Sequence, residues 1–239
     1  MHLQKLRLAA LALTTAITSI VLGGVVGLAQ SQQMEEKLMA LKQNQAANKQ
    51  RLAQYTWQET ETISLKGEVK DTKVYQVQMG PNGPEKTEIS DQKAQQGGGH
   101  EGRLKKHIIE KKKEEFQEYG QQIGALAKQY TTPDPDRLMQ AKQQGNISLQ
   151  LGNGTPSLVI KNYVKPGDQV TLTIDGQTKA LSDVHVQSYL NDPSDAVTIS
   201  AQYAKLPDGT NHVASTLVNG VSKQLTVNDQ NSNYQKKGM

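Results

Sequence analysis

The chain has 239 residues, with 27 Lys and Arg against 23 Asp and Glu, a net charge of +4, and no cysteine. Without cysteine it has neither a disulfide framework nor the acylated N-terminal cysteine of a bacterial lipoprotein, and a charge excess this small is no footprint of a nucleic-acid partner. One Trp, one Phe and eight Tyr leave the core to Val, Ile, Leu, Met and Tyr, whose β-friendly members concentrate in the C-terminal half.

The N-terminus sets the address. Lys5 and Arg7 precede an acid-free apolar run of 21 residues, Leu8 to Leu28, and Gly27-Leu28-Ala29 then places small side chains at the −3 and −1 positions of a signal-peptidase site. This three-part order predicts a secretory signal over 1–29, with 30–239 exported as a single domain. The run is also long enough to cross a bilayer, so the alternative is a retained inner-membrane anchor over 8–28. Cleavage removes Lys5 and Arg7, leaving 25 basic against 23 acidic residues and a net charge of +2.

Met34 to Gln54 consists almost wholly of helix formers with Leu38, Leu41 and Leu52 as anchors, which predicts a helix with a narrow buried stripe. At Tyr55 the period changes to two. Tyr55, Trp57, Glu59, Glu61, Ile63 and Leu65 share one face of a strand running to Glu68, so two glutamates sit on the apolar side. Gly67 marks a turn, Thr72–Met79 a second strand, the 80–84 segment a breaker and Lys86–Ser90 a short third strand, together an antiparallel meander.

Residues 91–102 are polar and glycine-rich, a flexible loop. The insert at 103–145 is helical: a long helix over Arg103–Tyr130, interrupted at Gly120 and Gly124, with Leu104, Ile108, Phe116, Tyr119, Ile123, Leu126 and Tyr130 along one side. Asp134 or Asp136 caps a short helix through about Gln143, and Gly145 stops it. From Asn146 onward turn signals recur about every ten residues, implying six or seven antiparallel strands. Asn219-Gly220 reads as the tight turn of the last hairpin, whose returning strand is Val221–Val227.

A helix leading into Tyr55–Glu68 (YTWQETETISLKGE), followed much later by Val170–Leu181 (VTLTIDGQTKAL) and Ala201–Gly209 (AQYAKLPDG), resembles the LolA/LolB-like outer-membrane lipoprotein-sorting families. The likeness covers roughly 34–90 and 156–230 and lies in layout and turn chemistry; no residue maps onto a functional position of the family. It implies an α+β fold, a curved antiparallel sheet in half-barrel form with an N-terminal helix and a central helical segment across its concave side, and acyl chains as cargo.

Candidate chemistry is sparse. His100, His107, His185 and His212 have no metal-site spacing, and no nucleophile motif stands in a usable context. Glu59 and Glu61 beside Trp57 form a carboxylate pair whose ordinary account is a solvated face, or pairing with lysines on the next strand. The block from Lys105 to Glu118 interleaves both signs, as solvated helices do, while Arg103, Lys105, Lys106 and His107 form a basic cluster suited to an anionic lipid surface. The expectation is a periplasmic, non-enzymatic protein with no catalytic, cofactor-binding or metal residues, no cofactor, and no nucleic-acid partner. Its partners would be a lipid or lipoprotein ligand or an envelope protein, with membrane contact only peripherally or through the N-terminal segment. The function expected is binding or carrying an apolar ligand, a lipid or a lipoprotein acyl chain. The alternative is an envelope scaffold with a filled core.

Overall fold

The structure is a computed structural model, and it describes residues 15–81, 83–93, 103–130, 132–152 and 155–238. Helix α1 (Thr15–Leu52) leads into β1 (Tyr55–Leu65), β2 (Glu68–Gly80) and β3 (Gly83–Lys93). Helices α2 (Arg103–Lys128) and α3 (Pro135–Gln143) follow. The chain then runs through β4 (Ile147–Gly152), β5 (Thr155–Lys161), β6 (Gln169–Ile174), β7 (Leu181–Tyr189), β8 (Ala196–Lys205), β9 (Asn211–Gly220) and β10 (Leu225–Lys236). The fold class is α+β, as the alternation in the sequence implies.

All ten strands form one open, curved antiparallel sheet in the order β3-β2-β1-β10-β9-β8-β7-β6-β5-β4. Neighbouring strands follow one another in sequence except at β1–β10, where the N-terminal meander meets the last strand. The hairpins are set by local chemistry. Leu65 faces Glu68 across a two-residue turn in which Lys66 (φ 53°) and Gly67 (φ 82°) are both left-handed, the type I′ geometry that matches strand twist.

The core lies between the concave face and the helices. Because pairing is in register, one row of side chains crosses the sheet from strand to strand: Ile147, Ile160, Val170, Val186, Ile199, Val218, Val227 and Ile63. Helices add Leu38 and Leu41 of α1, Tyr119, Ile123 and Leu126 of α2, Tyr130 just beyond it, and Leu138 of α3. Leu38, Leu41 and the stripe from Tyr119 to Tyr130 are anchors the helical spacing picks out, and the side chains of Leu104 and Ile108 lie outside the described residues.

Three expectations need correction. Helix α2 is not interrupted at Gly120 and Gly124. Each glycine costs about 1 kcal/mol in helix propensity, but burial of Tyr119, Ile123, Leu126 and Ala127 holds the helix through them. The Asn219-Gly220 pair is not a turn: both residues lie in β9, and the chain reverses over 221–224. Thr226 donates to Asn219 Oδ1 at 3.0 Å and Asn219 Nδ2 to Thr198 Oγ1 at 3.3 Å, so strand pairing claims the residue that a turn would have used. The last strand runs to Lys236 rather than Val227, through polar sequence with little strand signal. The proposed leader's residues 1–14 lie outside the described residues, as do 94–102 of the loop expected at 91–102, whose first three residues instead end β3; from Thr15 α1 is continuous through Ala29. Among the described residues no helix is long and apolar enough to cross a membrane.

Gly220 is the close-approach point between sheet and α2. A Cβ there would lie 2.4 Å from Cε1 of the buried Tyr119 ring, whose hydroxyl donates to Asp195 Oδ1 at 2.9 Å. Gly220→Ala should therefore destabilise the protein by about 1–3 kcal/mol, as overpacking does. Urea unfolding measures this, and a Tyr119→Ala background should shrink the effect, since the two positions share one contact.

Candidate functional site

The concave face changes character along its length. A second cross-sheet row begins Leu149, Leu158, Leu172, Val184, Ala201 and Thr216, then becomes Asp229, Glu61, Lys73 and Asp91 where it passes from β9 to β3. Strands β4 to β8 thus offer an apolar interior along this row. The seam with the N-terminal meander places acids on the same face.

At that seam carboxylate oxygens of Glu59, Glu61 and Asp229 lie within 4.8 Å of one another. Glu59 is buried and accepts a hydrogen bond from Lys86 Nζ. Asp229 stands directly opposite Glu61, a like-charge cross-strand pair that opposes pairing when both are ionised. Burial, with Glu59 and Glu61 adding to it and Lys86 opposing, pushes the Asp229 carboxyl up to about 7. Burial raises Glu61 as well, against Lys86. Trp57 and Tyr234 wall the cluster, stacked with ring centroids 5.4 Å apart, and Trp57 Nε1 donates to Asn231 Oδ1 at 3.0 Å. Three carboxylates this close repel one another when ionised, and the cation bonded to them is Lys86, whose Nζ sits on Glu59.

The sequence brings Glu59 and Glu61 together correctly but misplaces their surroundings. The face is not simply solvated, and the lysine comes from β3, one strand beyond the neighbour. Asp229 escaped notice because it lies in the polar C-terminal segment, where only the alternation of Leu225, Val227 and Asp229 marks its face. Among the histidines, His185 is exposed beside Ser200, at 3.1 Å. His212 is buried against Tyr234 with its pKa lowered by burial, its Nδ1 3.1 Å from the Val213 carbonyl. His100 lies outside the described residues, and so do the side chains of Arg103, Lys105, Lys106 and His107.

The helices over the apolar half are fastened at a few polar points. The Tyr130 hydroxyl donates to Asp168 Oδ2 at 2.6 Å, and the buried Asp168 also accepts from the backbone N–H groups of Tyr163, Val164 and Lys165. Asn48 exchanges two hydrogen bonds with the Asn211 backbone, and Lys142 of α3 donates to Glu35 of α1 at 2.7 Å. Between α1 and α3 lies an apolar groove of about 150 Å³, lined chiefly by Leu38, Met39, Leu41, Pro135, Leu138 and Met139.

With this geometry in view, the chain is similar to three solved structures. A DUF1329 family protein from Desulfovibrio piger shares 8% identity with a TM-score of 0.42, covering 88% of this chain and 95% of that one. A putative outer membrane lipoprotein-sorting protein domain from Vibrio parahaemolyticus shares 8% with a TM-score of 0.41, covering 86% and 94%. A LolA superfamily protein from Nitrosomonas europaea shares 9% with a TM-score of 0.32, covering 88% and 94%. No family model and no curated protein matches. Each of these likenesses is one of overall layout.

Replacing Lys86 by Met leaves the buried Glu59 without its cation. The expected cost is about 1–3 kcal/mol by urea unfolding at pH 7, toward the lower end because Lys86 is partly exposed. Adding Glu59→Gln should recover much of it, and equal losses in single and double variants would contradict the pairing.

Proposed function

We propose that this chain is an exported, non-catalytic envelope protein that binds an apolar ligand, a lipid or a lipoprotein acyl chain, between the α1–α3 pair and the concave face. Export is inferred from Lys5, Arg7 and the apolar run to Leu28. A periplasmic location follows from a cleaved leader, and inner-membrane attachment from a retained one.

The observation that carries the reading is the groove between α1 and α3. Its walls are chiefly Leu, Met and Pro side chains, with Lys42 and Gln45 completing them, Met39 is 55% exposed at its rim, and Leu38, Leu41 and Leu138 belong to both the groove and the core. At about 150 Å³ it is smaller than the roughly 300–1,000 Å³ of ordinary ligand sites. An acyl chain therefore enters only as α1 and α3 separate, and the methionines can repack around it. Of the polar links between α1 and α3, the longer Lys42–Asp136 pair lies at the surface, where such pairs contribute little, and the partly buried Glu35–Lys142 pair is the one that must open.

One observation favours a second reading, a scaffold with a solid core. The concave interior is filled by Tyr130, Ile123, Leu158, Ile160 and Leu172, all essentially without exposure.

A fluorophore that brightens in apolar surroundings separates the two. The carrier reading expects saturable binding that fatty acid displaces, weakened about tenfold, or about 1.4 kcal/mol, by Met39→Glu at the exposed rim with the melting temperature unchanged. Absence of dye binding by the purified protein sinks the carrier reading and leaves the scaffold.

A further inference from the structure

The β1–β10 seam is the single join in the strand order between the N-terminal meander and the other seven strands, and it carries an unbalanced group of charges. Glu61 and Asp229 face each other across it, Glu59 is next to Glu61 on the same face, and Lys86 is the cation bonded to the group. Asp229 Oδ1 is buried with no hydrogen-bond partner, although it lies in a cluster of acceptors. A carboxylate there has nothing to accept from. A protonated carboxyl, in contrast, is a donor, and the oxygens of Glu59 and Glu61 that could accept from it lie within 4.8 Å.

We propose that the seam is a proton-dependent latch: a proton shared between Asp229 and Glu61, which face each other across it, holds the β1–β3 meander to β10, and its loss loosens that pairing. Two of the charged groups facing Asp229 oppose its ionisation and one favours it. Glu59 and Glu61 come from β1 and Lys86 from β3, while Thr216, its partner on β9, is uncharged. One shell out, Lys73 and Asp71 of β2 act on Glu61, and Glu88 acts on Tyr75, which faces Glu59. On β10 itself Tyr234 is a neutral phenol, and His212 of β9 lies behind it, its pKa lowered by burial.

The direction follows from linkage. The Asp229 carboxyl is raised from 3.8 to about 7 in the paired state, so pairing takes up a proton that the open state does not hold. Below about pH 4 both states carry it and pairing bears no penalty. As pH rises from about 4 to about 7 pairing becomes steadily less favourable, and above about 7 the penalty is full and constant. The latch is tight in mild acid and slack in mild alkali. This inference is independent of the ligand reading, since it concerns the seam alone.

Hydrogen exchange of the purified protein, corrected for intrinsic rates, tests it. From pH 5.5 to pH 8.0, amides of β1, β2 and β3 should lose at least tenfold in protection relative to those of β5–β8. Asp229→Asn, or Glu61→Gln should the first variant fold poorly, should remove most of that difference. Equal change across the whole sheet in the unsubstituted protein would overturn the latch, and so would the same selective loss in a folded variant. Millimolar calcium that restores protection at pH 8.0 in the unsubstituted protein and not in Asp229→Asn would overturn it in favour of a cation site.

Discussion

The pairing of β1 with β10 is the constraint on which the rest of the molecule depends. It joins strands that lie at opposite ends of the chain, from Tyr55 against Lys236 to Leu65 against Leu225. Every other strand pair is a connection between sequence neighbours. Closing so long a loop costs entropy that local hairpins do not face. The apolar half of the seam, Ile63 with Val227 and Leu65 with Leu225, offsets that cost by burial against the core. The acidic half works against it. One interface thus contains both the reason the two halves hold together and the reason their union responds to its surroundings.

The division of the concave face follows from the same register. Rows that are wholly apolar under α1, α2 and α3 become charged as they leave the helices, so the sheet presents one greasy end and one polar end on a single surface. The helices rest on the greasy end through aliphatic contacts and a few directed bonds. The strongest of these is the buried Asp168, which gathers three backbone donors and the Tyr130 hydroxyl and needs no countercharge to be satisfied. The α1–α3 pair, by contrast, is tied over a small groove by one exposed ion pair, Lys42–Asp136, and one partly buried pair, Glu35–Lys142, which makes it the natural place for the interior to open.

Much of this was legible in the residues because it is local. The period-two alternation from Tyr55 and again from Asn146, the Gly67 turn, the Asp134 cap of α3 and the leucine anchors of α1 each reflect chemistry within a few residues. The alternation also put Glu59 and Glu61 on the apolar face, where they are found. The misreadings share a cause. Asn219-Gly220 has the composition of a tight turn, but Thr226 and Thr198 from neighbouring strands hold Asn219 in the sheet and Tyr119 of α2 occupies the space over Gly220. The glycines of α2 read as breaks, and packing beneath the helix overrode them. Asn228 to Lys236 has almost no strand propensity of its own and becomes a strand because β1 offers it a partner.

The sequence by itself therefore determined the elements, their faces and the antiparallel class, since hydrophobic period and turn residues act over distances shorter than a hairpin. Only the tertiary structure decided which strand meets which across the chain. With that came the arrival of Asp229 beside Glu61, the use of Lys86 from two strands away, and the narrow groove between α1 and α3. The physical reason is that proximity between distant segments follows from register and global packing, and neither is written in the neighbourhood of any single residue.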